Sequence, residues 1–194
     1  MKKLSTYLFL VLFSFSAPSF ADDIRDFQIE GMSIGDSLLD YFSEEKIKEN
    51  SKNYFESKFT LVVIDHSKNF QVYDGVHFFH KKEDERYKIY SITGYIDYDK
   101  NIDGCYKKLD EIDKELSTLF IGAKRFIEHR KILSADKSGK STMKQISYDF
   151  KSGDVASISC TDWSSKMNYP DALHVSFHSQ EYIRPPMCYG GWCP

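Results

Sequence analysis

The chain has 194 residues, of which 41% are apolar, 28% charged and 15% aromatic, with 10 Gly and 5 Pro. That composition excludes collagen-like, low-complexity and wholly disordered polypeptides. Residues 1–21 have the form of an export signal, and the 173 that remain suffice for one domain with a single sizeable core. They carry 24 basic residues against 29 acidic ones, a net charge of −5 with His neutral, which argues against a general nucleic-acid or anionic-membrane binder.

The signal is read from Lys2 and Lys3, the apolar run Tyr7 to Phe15 and the small-x-small site Ser19-Phe20-Ala21, with cleavage expected after Ala21. The run is shorter than the roughly 20 apolar residues of a spanning helix, and no second run follows. No Cys stands near the cut, so lipid attachment there is not expected. The expected destination is the periplasm, with the extracellular medium as the alternative.

Ser33 and Asp36 stand in a Ser-x-x-acid capping arrangement ahead of Ile34, Leu38, Leu39 and Phe42, which predicts a helix from about Ile34 to Phe42. Ser43-Glu44-Glu45 caps a second short turn. Phe59–Ile64, Gln71–His80 and Tyr87–Tyr98 are rich in β-branched and aromatic residues and predict strands. A long helix is expected over Ile102–Phe120, on whose single face Cys105, Leu109, Ile112, Leu116 and Leu119 recur at spacings of 4, 3, 4 and 3. A basic, weakly patterned stretch and a polar loop, Ser134 to Thr142, lead to three more strands, Met143–Phe150, Val155–Trp163 and Leu173–Ser179. Lys151-Ser152-Gly153-Asp154 is a hairpin turn between the first two. The expectation is an α+β fold, an antiparallel sheet covered on one face by two helices. It divides into two helix-plus-three-strand units in tandem, about 33–98 and 102–180, followed by a disulfide-closed tail, 181–194.

The four cysteines, Cys105, Cys160, Cys188 and Cys193, all lie in the exported part, where an oxidising compartment favours disulfides. Four cysteines allow three connectivities. Cys105 points inward from its helix, and Cys160 shares a strand face with Ala156 and Ile158, so these two are expected to meet. Tyr-Gly-Gly-Trp between Cys188 and Cys193 permits a tight ring.

Ile29-Glu30-Gly31-Met32-Ser33-Ile34-Gly35-Asp36-Ser37-Leu38-Leu39, the helix end Leu116-Ser117-Thr118-Leu119-Phe120 and the strand end Cys160-Thr161-Asp162-Trp163 resemble small exported proteins of unknown function from marine alphaproteobacteria. The resemblance implies an envelope location and no activity. The opening, an apolar residue and Gly-Met-Ser before a short helix, is also similar to envelope modules of the outer-membrane assembly lipoprotein and β-lactamase-inhibitor-protein type, which implies a non-catalytic module.

Two motifs imitate ligand sites. Gly139-Lys140-Ser141-Thr142 matches the end of a phosphate-binding loop, but the first Gly of the pattern would be residue 134, which is Ser134, and a strand follows where a helix is needed. Asp99, Asn101 and Asp103, with Gly104 and then Asp110, match most of a calcium-loop spacing. Against calcium stand the short closing acid Asp110, the bulky Ile102 and the strand in place of an incoming helix; the bland alternative makes Asn101 a helix cap. His174, Ser176 and His178 share a strand face read as solvated, and His77 and His80 point to opposite faces of theirs. No His-Glu-x-x-His, Gly-x-Ser-x-Gly or Cys-x-x-Cys occurs, so hydrolase and thiol-redox chemistry have no anchor and no catalytic residue or cofactor is assigned.

Two surfaces remain as binding candidates. Between Lys124 and Lys144 seven basic residues, Arg130, Lys131 and Lys137 among them, face only Glu128 and Asp136, a local charge of +5 that reads first as a solvated loop and otherwise as a surface for an acidic ligand or envelope protein. The tail holds Tyr189 and Trp192 on the Cys188 ring, where aromatics either serve as anchors or, the reading favoured for a chain end, fold back to seal the core. The leading expectation is an exported, disulfide-stabilised binding module with no cofactor, no nucleic-acid partner and no transmembrane segment. Its alternatives are a periplasmic enzyme with a composite site and a calcium-dependent module.

Overall fold

The computed structural model describes residues 23–53 and 57–183. The export signal lies outside these residues, as does the Cys188–Cys193 ring with Tyr189 and Trp192.

Eight strands form one antiparallel sheet: β1 (Ser51–Asn53), β2 (Phe59–Asp65), β3 (Gly75–Lys81), β4 (Ser91–Asp97), β5 (Lys124–Ile132), β6 (Thr142–Asp149), β7 (Val155–Asp162) and β8 (Ala172–His178). Their order is β1-β2-β3-β4-β8-β7-β6-β5. Two four-strand meanders therefore meet at the centre, where the last strand of each half pairs with the other from Ser91↔His178 to Asp97↔Ala172. Each half contributes four strands, one more than expected.

The expected cover of two helices is not what forms. One long helix, α2 (Ile102–Leu119), lies on the sheet; α1 (Glu44–Glu49) and α3 (Gln180–Ile183) are short. Asn101 caps α2 through its side-chain oxygen, which accepts from the Gly104 N–H. The stripe Cys105, Leu109, Ile112 and Leu116 is buried against the sheet. Burying each such aliphatic side chain contributes about 1.5–3 kcal/mol. The Cys105–Cys160 disulfide ties the first turn of α2 to β7.

The helix expected over Ile34–Phe42 is replaced by turns and a single 3-10 turn, Leu38–Asp40. Gly35 sits at φ +99, outside the helical region. The N–H groups of Gly35 and Leu38 donate to the carbonyls of Ile89 and Tyr87, so this backbone pairs in part with the approach to β4, the rest closing short local turns such as Asp40 N–H to the Ser37 carbonyl. Asp36 still accepts from the Ser33 N–H at 2.8 Å, half of the capping box without its helix. The sheet is covered there by an irregular segment instead: Ile24, Phe27, Ile29, Met32, Ile34 and Leu38 join the core of α2 and the strands, while Leu39 of the expected helical face is exposed. Phe27 meets Phe120 edge-on at 4.8 Å and stacks on Phe177 at 5.6 Å. Glu30 locks this segment in place, its carboxylate accepting from the N–H groups of Gln71, Val72 and Tyr73. Those contacts hold residues 71–74 out of β3, which starts at Gly75 and not at Gln71.

Candidate functional site

The basic stretch between Lys124 and Lys144 is a strand followed by a knotted loop. β5 stands at the edge of the sheet and pairs with β6 alone. Lys131 is half-buried and its eight other residues are exposed, so both faces and the outer backbone edge are open to solvent among the described residues. Phe126, Ile127 and Ile132 are among the exposed large apolar side chains of the molecule. The register shifts between Glu128 and Lys131, a bulge that displaces His129 and Arg130 from regular pairing.

The charge on this strip is smaller than a count suggests. Arg125 makes a two-point contact with Asp113 of α2, Nε to Oδ1 at 2.8 Å and Nη2 to Oδ2 at 2.6 Å, and Asp113 also accepts from the Tyr148 hydroxyl. The Asp113 carboxylate raises the Arg125 pKa further above its ordinary value. Lys144 reaches Asp110 at 2.7 Å, and Lys131 approaches Glu128 at 3.9 Å. Lys124, Arg130, Lys137 and Lys140 make no ion pair within the described residues. Lys124 lies over the Phe126 ring at 4.6 Å. Of the three cations predicted to bind, Arg130 lies in the bulge of β5 and Lys131 where pairing resumes after it, while Lys137 rides on the loop that follows.

That loop is held by Asp136, a buried residue rather than the solvated acid of a polar turn. Its carboxylate accepts from the Ser138 N–H and hydroxyl, the Ser141 N–H and hydroxyl, and the Ser164 hydroxyl. These hydrogen bonds, those of Ser141 and Ser164 foremost, hold its pKa well below the usual carboxylate range. Ser141 is thus committed to Asp136, a structural use for the end of the false phosphate loop.

The calcium-like residues do not gather. Asn101 is occupied as the cap of α2, Asp110 pairs with Lys144, and Asp99 and Asp103 are exposed. Among the described residues no three His, Cys, Asp or Glu side chains are placed to hold one metal ion.

The sheet face opposite α2 differs from its expectation as a solvated surface. Ser157, Ser159 and Ser176 are buried and His174 and His178 half-buried. Burial lowers the pKa of both histidines to about 4, with the neighbouring His77 adding to the effect at His174, so both are neutral at neutral pH. Tyr95 stands between His77 and His174, its ring 5.2 Å and 6.4 Å from theirs, and donates its hydroxyl to Asp65 at 2.7 Å. Ser91 Oγ lies 2.8 Å from His178 Nδ1, but Ser91 is fully buried, so this pair is a packing contact and not an exposed nucleophile with its base.

Sequence reasoning missed β5 and the Asp136 knot, and it placed His174, Ser176 and His178 on one strand face but read that face as solvated. The face was signalled by Ser157 and Ser159 alternating with Ala156, Ile158 and Cys160. Comparison of the chain with known protein families, characterised proteins and solved structures finds no match.

Proposed function

We propose that the chain is an exported binding module that docks an acidic partner on the basic strip formed by β5 and the loop from Leu133 to Ser141. The observation that carries this reading is the exposure of β5: a nine-residue strand with open faces, cations at Lys124 and Arg130 that make no ion pair among the described residues, and three exposed apolar side chains beside them. Mixed apolar and cationic surfaces of this kind supply both encounter steering and contact area. The Cys105–Cys160 disulfide supports delivery to an oxidising compartment, and no helix of the described residues is long and apolar enough to cross a membrane.

The test measures association of the protein with immobilised polyglutamate, polylysine serving as control. Replacing Arg130, Lys131 and Lys137 together by Gln should slow association and flatten its salt dependence while leaving the melting temperature in place. Equal association by the triple variant, or no preference for polyglutamate, would overturn the proposal.

A further inference from the structure

Resting on that reading, we infer that the acidic partner binds by adding a strand: an extended segment of another chain pairs its backbone with the free outer edge of β5.

Three observations carry this. First, β5 is a long edge strand: it has nine residues and, among the described residues, is paired on one side only. A strand of that length presents a row of unsatisfied N–H and C=O groups, a template for a further strand.

Second, both faces of β5 are open, so side chains of an added strand find neighbours on each. Its register places Arg125 and Ile127 beside Tyr148 and Ile146, on the face that carries α2. Lys124, Phe126 and Glu128 lie beside Asp149, Ser147 and Gln145 on the other face. Alternate residues of an incoming strand would therefore meet Ile127 on one side, where Arg125 is held by Asp113, and Lys124 and Phe126 on the other, and an acidic side chain beside Lys124 stabilises such a pair.

Third, the charge pattern selects against a second copy of this chain. β5 carries four basic residues against one acidic one, so pairing it with a second copy brings together strands of like net charge. The bulge at His129 and Arg130 further limits self-pairing. An acidic extended segment brings the opposite charge and can pair along the regular stretch Lys124–Glu128 ahead of the bulge.

The experiment uses the whole exported chain with a Thr-Glu repeat peptide of nine residues, a Thr-Lys repeat as control. Hydrogen exchange is followed residue by residue with and without peptide. Strand addition should slow exchange at alternate amides of Lys124–Ile132, those directed away from β6, with the alternation broken at the bulge. Single proline substitutions along Arg125–Ile127 supply a second readout. Positions whose N–H points outward should keep the melting temperature and lose about tenfold or more in affinity, because proline removes the donor without touching the β6 ladder. Charge is unchanged at Phe126→Pro and Ile127→Pro, which separates backbone pairing from electrostatic docking. If the peptide binds and Arg130→Glu abolishes binding while no amide of β5 is protected, strand addition is overturned and the acidic-partner reading stands. If neither the Thr-Glu peptide nor polyglutamate binds, both are overturned. Sedimentation should show a monomer; a dimer dissolved by the outward-pointing proline would assign the edge to a second copy and overturn the inference.

Discussion

Cys105 and Cys160 join the first turn of α2 to β7, with their Cα atoms 6.0 Å apart and 55 positions of sequence between them. Both are fully buried, so the bond lies in the core that α2 makes with the sheet. In the chain-entropy model a link closing a loop of this length contributes about 4 kcal/mol. The paired change Cys105→Ala with Cys160→Ala should lower stability by about that amount in urea unfolding. Non-reducing peptide mapping should recover the two cysteines in one linked fragment.

Asp136→Ala should lower the melting temperature far more than Lys137→Ala at the exposed neighbouring position. The alanine leaves the Ser138, Ser141 and Ser164 donors without their acceptor. Because the Asp136 pKa is lowered in the folded state, its contribution is complete above the ordinary value of 3.8 and is lost as pH falls through the folded value. Acid unfolding below pH 3.8 should therefore be shallower in Asp136→Asn than in the parent.

His174 and His178 act in a different pH window. Their folded pKa of about 4 lies below the ordinary 6.5, so the unfolded chain binds more protons between these values. Stability from keeping them neutral is complete above pH 6.5 and declines as pH falls toward 4. Thermal midpoints recorded across this range should fall with acidity, and His174→Gln with His178→Gln should flatten the fall by on the order of 1 kcal/mol per imidazole.

Gly75 faces the Tyr95 ring across the β3–β4 pair, and a Cβ there would stand 2.4 Å from Tyr95 Cε1. Gly75→Ala should force Tyr95 aside, break its hydrogen bond to Asp65 and cost about 1–3 kcal/mol. Combining it with Tyr95→Ala should cost less than the two single changes together, since the clash has then been removed. Denaturant midpoints of the four proteins complete the cycle.

What the sequence by itself determined is local or periodic. α2 follows from a stripe at helical spacing that needs only a flat apolar surface to cover, and the Cys105–Cys160 pairing follows from two inward-facing positions. β2, β6, β7 and β8 follow from runs of β-branched, aromatic or alternating residues, and their boundaries lie within one or two residues of those observed. β5 was illegible for a physical reason: a strand open on both faces needs no alternation of apolar and polar side chains, and its pairing with β6 is decided by the sheet edge already built. The segment Ile34–Phe42 has the composition of a capped helix, yet Gly35 and the free backbone groups at Tyr87 and Ile89 draw it into tertiary pairing, which no local pattern encodes. The meeting of β4 with β8, which places Ser91, Thr93 and Tyr95 beside His178, Ser176 and His174, was likewise a decision of the tertiary structure. Register between strands far apart in the chain is set by the shared core they must cover, not by either strand alone.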